Sequence, residues 1–400
     1  MKSLLSYALV VFTTILLFDV SLFFLLPAEY ALDFDGYRFH RETRPPNNPG
    51  TVYTPKDYFV KDDRRGFDIG PRKNGYHWVS GVTYPIWSNS LGCFDTEHAN
   101  TEEYVYLTGD SYTWGFAPFE QKFGTIVEKL TGTPIFKCGV LHTGQQHQYD
   151  KFVEIVERIG ILPKAIIVQY CANDIANDHA YPHSTVIDGW LVDDVYLTRD
   201  DNLTRISDEE IRKRIADRLL GFRLEAEDRN LRRRNSWWGK AFLKEYSLSS
   251  HLVKSLIDER SVATPVSRET PLLRHIWMER MERHGQYWYV DNSKAVQNQQ
   301  AILAFQAFAV ENHIPLILVL MPFKEVYADT HYYAELRDFL TAHGIRFLDL
   351  TRSFAQGQWS PGALYWRHDG HLSPKGNQIV ADILINELPD VFLRKEGTHL

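Results

Sequence analysis

The sequence has few cysteines, no basic run that could track a phosphate backbone, and none of the short signatures that hold a metal or a nucleotide. Cys93, Cys138 and Cys171 are three among 400 residues, with no C-x-x-C pair, which argues against a zinc ribbon, a dithiol redox pair and a disulfide framework. They read as small buried residues, and outside the cytoplasm their odd number leaves at least one thiol unpaired or bonded to another chain. Lys and Arg number 44 against 51 Asp and Glu, a formal net charge of −7, so no cationic field invites nucleic acid. There is no H-E-x-x-H, no P-loop and no G-x-S-x-G, so neither a zinc protease, nor a P-loop nucleotide site, nor the nucleophile elbow of the α/β-hydrolases is expected. No cofactor and no metal are called for.

What is present is ordinary globular material, 44% hydrophobic and 24% charged, enough to build a core without metals or disulfides. Leu4 to Leu26 is apolar apart from a few hydroxyls and Asp19, and as a helix it reaches roughly 35 Å, the thickness of a bilayer. After it, Ala28 and Ala31 stand three apart rather than in the small-x-small spacing of a cleavage site, which favours an uncleaved anchor over cleaved secretion. With Lys2 before the run and no second span after it, the bulk of the chain is expected outside the membrane, periplasmic or extracellular.

Residues 1–27 are thus an anchor or signal segment, and 28–100, rich in Pro, Gly, Asp and aromatics, read as a lead-in with short strands. From Glu103 the pattern changes. EYVYLTGDS is a buried strand entering a turn, and KFGTIVEKL is the helix behind it. PIFKCGV, a helical stretch ending at Gly160, and AIIVQYC repeat the unit, and it resumes near 290 with AVQNQQAILAFQAFAVENH, PLILVLMP, AELRDFLTAHG, IRFLDL and the segment from Pro374. Strands alternating with helices imply a parallel sheet covered on both faces, whose site lies at the carboxyl ends of the strands. The core is expected over 101–180 and 290–392, with 181–289 an insertion capping one edge of the site. Within it, WLVDDVYLTRDDNLTRI has the pattern of a hairpin, and the stretches 208–234 and 237–257 look helical. LRRRNSWW reads as a solvated charged face with two packing tryptophans in preference to a headgroup-binding patch, and Asn202-Leu203-Thr204 fits a glycosylation acceptor.

Chemistry concentrates at three strand ends and in one loop before a helix. In LTGDSYTWG, Gly109 allows a tight turn and Ser111 begins the next segment, its hydroxyl at the sheet edge where backbone N–H groups can hold an oxyanion. About 260 residues later, RHDGHLSPKGN puts Asp369 and His371 in one loop before a helix announced by Ser373 and Pro374, so that Asp369 can orient an imidazole that takes the Ser111 proton. Gly139 follows the strand PIFKC and Asn173 the strand AIIVQ, an N–H and a side-chain amide of the kind a tetrahedral oxyanion needs. Taken singly each is an ordinary turn; together, in one topology, they read as a site. His142 and His147 in LHTGQQHQ are more simply pocket-lining or capping residues than metal ligands, because no third ligand is spaced to complete a site.

At these residues the chain resembles the SGNH, or GDSL, hydrolase family: GDS with Ser111, the Gly after the second strand with Gly139, the x-N-D element with Asn173 and Asp174, and the terminal Asp369 and His371. The resemblance covers about 103–175 and 295–388. It implies a three-layer α/β/α, flavodoxin-like fold with a parallel sheet, a catalytic triad of Ser111, His371 and Asp369, and an oxyanion hole from the Ser111 amide, Gly139 and Asn173. Two departures stand out. Cys171 occupies a position that is commonly Gly, and Asp369 and His371 are spaced D-x-H where D-x-x-H is frequent, a D-G-H-L form that resembles membrane-anchored and carbohydrate O-acetyltransferase relatives. The expected activity is hydrolysis of a small-molecule or glycan ester through an acyl-enzyme. The alternatives are transfer of the acyl group to a polysaccharide by the same site, or a non-catalytic, membrane-anchored binding module of the same fold.

Overall fold

The structure, a computed structural model, describes residues 2–25, 55–79, 82–98, 101–179, 181–182, 184–192, 196–199, 202–213, 216, 293–366 and 369–392. Helix α1 (Lys2–Leu25) forms along the N-terminal apolar run. Its side chains are described only at 6–7, 10–18 and 21, and among the described residues no helix is long and apolar enough to cross a membrane. Two antiparallel hairpins follow, β1 (Phe59–Asp62) with β2 (Gly66–Ile69) and β3 (Asn74–Val79) with β4 (Val82–Trp87). These are the short strands expected of the lead-in.

The core begins with β5 (Val105–Thr108), the short α2 (Ser111–Trp114) and α3 (Phe123–Thr131), then β6 (Ile135–Lys137), α4 (Gln145–Ile159), β7 (Ala165–Tyr170) and α5 (Asp174–His179). Two small hairpins come next, β8 (Thr185–Ile187) with β9 (Trp190–Val192) and β10 (Tyr196–Arg199) with β11 (Asn202–Arg205). The expected hairpin therefore differs in detail: Trp190–Val192 pairs backwards with Thr185–Ile187, and only 196–205 close on themselves. The helical stretches expected beyond it and LRRRNSWW lie, apart from the first residues at 208–213 and 216, outside the described residues. The core resumes with α6 (Val296–Glu311), β12 (Leu316–Leu320), α7 (Ala334–Ala342), β13 (Arg346–Asp349), α8 (Leu350–Gln356), α9 (Pro361–Leu364), α10 (Pro374–Glu387) and α11 (Pro389–Phe392).

All five core strands run parallel in the order β6-β5-β7-β12-β13. Counted along the core, that is 2-1-3-4-5, the flavodoxin-like order, whose topological switch point lies beside the first strand. Alternation within the strands builds the layers. Tyr106, Ile166, Val168, Leu316, Leu318 and Leu320 face α4, α6 and α7 through Phe152, Phe305 and Leu336. Val105, Leu107, Ile167, Ile317 and Val319 face α3, α8 and α10 through Val127, Phe354 and Val380. The result is a three-layer α/β/α sandwich.

The lead-in is not an appendage. Its Tyr58, Phe59, Phe67, Ile69, Tyr84, Ile86 and Phe94 form a third apolar cluster with Trp114, Phe116, Val140, Leu141 and Trp366, residues that leave the carboxyl ends of the core. Charge reinforces the join, because Lys151 on α4 meets Asp68 at 2.6 Å and Arg65 reaches Glu154 at 2.6 Å.

The cysteines differ from the expectation that all are simply buried. Cys93 and Cys138 form a disulfide across a separation of 45 residues, their Cα atoms 4.6 Å apart, and Cys171 is the buried free thiol. Spacing could not reveal this pair, because Cys93 is brought to the end of β6 only by the packing of the lead-in. Closing a loop of that length removes enough unfolded-chain entropy to stabilise the fold by about 4 kcal/mol on the chain-entropy model. Cys93→Ser with Cys138→Ser is expected to lower unfolding free energy by about 2–4 kcal/mol in urea melts, and an unchanged midpoint would show that the pair contributes nothing.

Candidate active site

The nucleophile turn is set by one buried amide. β5 ends at Thr108, and the chain passes through Gly109 at φ +156°, where a Cβ would stand 2.4 Å from Gln169 Oε1. Gln169, fully buried near the end of β7, accepts with that oxygen from the N–H of Asp110 at 3.2 Å, the N–H of Thr113 at 3.2 Å and the Thr113 hydroxyl at 3.1 Å. Asp110 then caps α2 by accepting from Tyr112 N–H at 3.0 Å. Ser111, first residue of α2 and half-buried, is thereby held at the carboxyl edge beside the switch point between β5 and β7.

His371 arrives from the far end of the chain. An isolated bridge between Tyr365 and Leu372, with Trp366 N–H donating to His371 O at 3.0 Å, shapes the loop that carries Asp369 and His371. Asp369 Oδ1 accepts twice, from the His371 backbone N–H at 2.8 Å and from its Nδ1–H at 2.5 Å. The D-x-H spacing is what permits this. A carboxylate two residues before an N–H closes an Asx turn, so one oxygen fixes both the backbone and the ring of His371. On the other side, Nε2 lies 2.8 Å from Ser111 Oγ. The His371 side chain is 22% exposed and that of Asp369 10%. Burial pushes the Asp369 carboxyl up, but the charge of His371 and the two hydrogen bonds outweigh it and hold it below the usual range.

The three groups expected to donate to an oxyanion lie on or against the segment that carries Ser111. Among the described residues the N–H groups of Ser111 and Gly139 donate to no protein acceptor. A Cβ at Gly139 would fall 2.5 Å from Trp114 N and 2.6 Å from Thr113 Cβ, so the chain leaving β6 lies flat against α2 and tolerates no side chain. Asn173 Nδ2 donates to Asp110 Oδ2 at 3.1 Å, which leaves its second N–H for a ligand. Cys171, where the family commonly has Gly, is fully buried in the cluster beneath.

Three buried carboxyls back this site. Burial pushes Asp110 up. Burial and then the charge of Asp110 push Asp174 well up, despite hydrogen bonds from Gln145 Nε2 at 2.6 Å and Cys171 N–H at 3.0 Å. Burial raises Asp178 to about 7 although it accepts from the Gln145 and Gln146 N–H groups at the start of α4.

Sequence reasoning missed Gln169, whose signal is a single amide in an otherwise apolar strand buried on both faces. It also missed Tyr112 and Trp366, which tie the nucleophile and base segments together: Tyr112 OH donates to Gly370 O at 2.9 Å and Trp366 Nε1–H to Phe116 O at 2.6 Å. His142 is half-buried on the loop after Gly139 at φ 57°. His147 is buried on α4, donates from Nε2 to Phe67 O at 2.8 Å, and is pushed down to about 4 by burial, which keeps it neutral. Among the described residues no group of three or more His, Cys, Asp or Glu is placed to hold a metal ion.

No family model matches the chain, and no curated protein matches it. Solved structures do. An acetylxylan esterase from Geobacillus stearothermophilus is 11% identical, aligning over 74% of this chain and 97% of its own with a TM-score of 0.35. A member of the lipolytic G-D-S-L family from Veillonella parvula is 11% identical over 72% and 98%, with a TM-score of 0.33. An acetyl xylan esterase from Butyrivibrio proteoclasticus is 12% identical over 74% and 66%, with a TM-score of 0.31. What the site of this chain does rests on its own geometry.

If Gln169 aligns the nucleophile, Gln169→Leu orphans two buried backbone donors at about 1–3 kcal/mol each and lets Ser111 drift. A misplacement of about 1 Å costs roughly 100-fold in rate. A lower melting temperature together with a fall in kcat of that order is expected for ester hydrolysis, and wild-type kcat in the variant would remove Gln169 from the account.

Proposed function

We propose that the chain is a serine ester hydrolase working through an acyl-enzyme. The observation that carries this reading is the unbroken hydrogen-bonded line from Asp369 through His371 to Ser111 Oγ, ending beside unused N–H groups. Asp369 holds Nδ1–H, so Nε2 carries the lone pair that accepts the serine proton. As Ser111 Oγ bonds to the ester carbonyl carbon, the carbonyl π pair moves onto oxygen, and the N–H groups of Ser111 and Gly139 and the Asn173 amide receive it. The imidazolium returns its proton to the leaving alkoxide as the C–O bond breaks. Water then attacks the acyl-enzyme with His371 again as base, which frees the acid and restores Ser111.

Ser111→Ala is expected to lower hydrolysis of an activated acetyl ester by about 1000-fold or more and to abolish labelling by a fluorophosphonate probe. Equal activity of variant and wild type, with no labelling of Ser111, would replace this reading with that of a binding module. Following a labelled acyl group into water or into an added glycan decides the acceptor. Transfer without hydrolysis would make the chain a polysaccharide O-acetyltransferase using the same residues.

An extracytoplasmic setting is part of the proposal. The Cys93–Cys138 disulfide supports an oxidising compartment, and Val10, Val11, Phe12, Leu16, Leu17 and Phe18 are exposed on consecutive turns of α1, as an anchor in apolar surroundings requires. Fractionation of expressing cells is expected to find the full chain in the membrane pellet after an alkaline wash. Its recovery in the soluble fraction would overturn the anchor.

A further inference from the structure

The aromatic ring of Phe116 lies flat on the imidazole of His371, the centroids 3.6 Å apart and the planes 2° from parallel. Nothing in the proposed reaction uses it. Three elements hold it there. His77, from lead-in strand β3, meets it edge-on at 4.7 Å and 87°. Trp114, at the end of the nucleophile helix, meets it at 5.7 Å and 70°. Trp366, from the loop that carries the base, donates its indole N–H to the Phe116 carbonyl at 2.6 Å. Phe116 is itself buried, and on the nucleophile segment Tyr112 contacts the same imidazole at 5.0 Å.

From this geometry we infer that Phe116 is a positioning residue for the base, and that the lead-in is part of the catalytic apparatus because it holds Phe116 in place. The inference rests on the reading of Ser111 and His371 as nucleophile and base. The two hydrogen bonds of His371 fix its nitrogens, but the ring can still tilt about the line joining Asp369 Oδ1 to Ser111 Oγ. A flat surface on one face removes that tilt. When the Ser111 proton moves to Nε2, as the Oγ–C bond forms and the carbonyl pair moves to oxygen, the imidazolium lies over the negative face of a ring shielded from water. That contact favours the charged form it meets only after proton transfer. Its effect should therefore appear in kcat and not in KM.

The test is a double-mutant cycle in the full-length protein, with an activated acetyl ester as substrate. Phe116→Leu keeps the apolar volume and removes the ring, and a 10- to 50-fold fall in kcat with KM within twofold is expected. Phe116→Tyr keeps the ring and is expected within about threefold of wild type. In the background of His371→Ala, where no imidazole remains to be positioned, Phe116→Leu is expected to change the residual rate by less than twofold. An equal loss in both backgrounds, a loss confined to KM, or a Phe116→Tyr variant as slow as Phe116→Leu would overturn the inference. Thermal melts of each variant are recorded alongside, and if Phe116→Leu does not fold, Phe116→Met takes its place with the same expected outcomes. Failure of the underlying reading is distinguishable, since it appears as undiminished activity in Ser111→Ala, whatever Phe116 does.

Discussion

The hydrogen bond between Ser111 Oγ and His371 Nε2 joins segments 260 residues apart, and most of the structure can be understood as what makes that bond form. Neither residue lies on a strand or inside a long helix. Ser111 stands on a turn fixed from below by Gln169, and His371 on a loop fixed from within by Asp369. Two short segments of this kind would wander if the sheet alone held them. They are also bound to each other, through Tyr112 OH to Gly370 O and Trp366 Nε1–H to Phe116 O, each about 250 residues apart in the chain. A preorganised geometry of this kind does not have to be found anew in each catalytic cycle.

The lead-in explains how a five-stranded sheet with short edges keeps these loops in order. Its apolar cluster takes in the residues just after Ser111, just after Gly139 and just before Asp369. Parallel α/β sheets leave the loops at their carboxyl ends uncovered, and here two hairpins cover them. The covering is pinned at three points of different chemistry: apolar packing, the ion pairs of Arg65 and Asp68 in the lead-in with Glu154 and Lys151 on α4, and the disulfide that ties Cys93 to Cys138, one residue before Gly139. The disulfide thus closes its loop where the chain leaves β6 and passes against α2.

Much of this was legible in the sequence, and the division follows from range. The core strands were readable because each is a short run buried on both faces, AIIVQY and LILVL being apolar nearly throughout, and the helices because 3.6-residue periodicity and end signals are local. Ser373 caps α10 as its position before Pro374 implies. The strand order was not readable from any local pattern, and came only from the alternation of strands and helices taken with the family resemblance. Three of the four chemical blocks were visible because each follows a strand whose end the topology brings to one edge, and the fourth, Asp369 with His371, because it sits in a loop just before a marked helix start. What stayed hidden depends on contacts between elements: the Cys93–Cys138 pair, the role of Gln169 as acceptor for a turn 56 residues away, and the stack of Phe116 on His371. The D-x-H spacing, a departure at the level of sequence, becomes intelligible once one carboxylate oxygen is seen to serve both the backbone and the ring of His371.

The carboxyls behind the site complete the electrostatic picture. Asp110, Asp174 and Asp178 are fully buried; Asp110 accepts from the Asn173 amide and, at 3.4 Å, from the Ser111 hydroxyl, Asp174 from the Gln145 amide and Asp178 from the Asn298 amide. Three ionised carboxylates here would repel the negative charge that develops on an oxyanion a short distance away, in surroundings too dry to screen it. Burial opposes that outcome by driving all three toward the protonated form, with Asp178 reaching about 7. Burial pushes Asp369 up as well, but there the charge and hydrogen bonds of His371 outweigh it and hold the carboxyl below its ordinary range. Asp369 is thus held below its ordinary range where it faces His371, the place at which the proposed reaction would have negative charge steady an imidazolium.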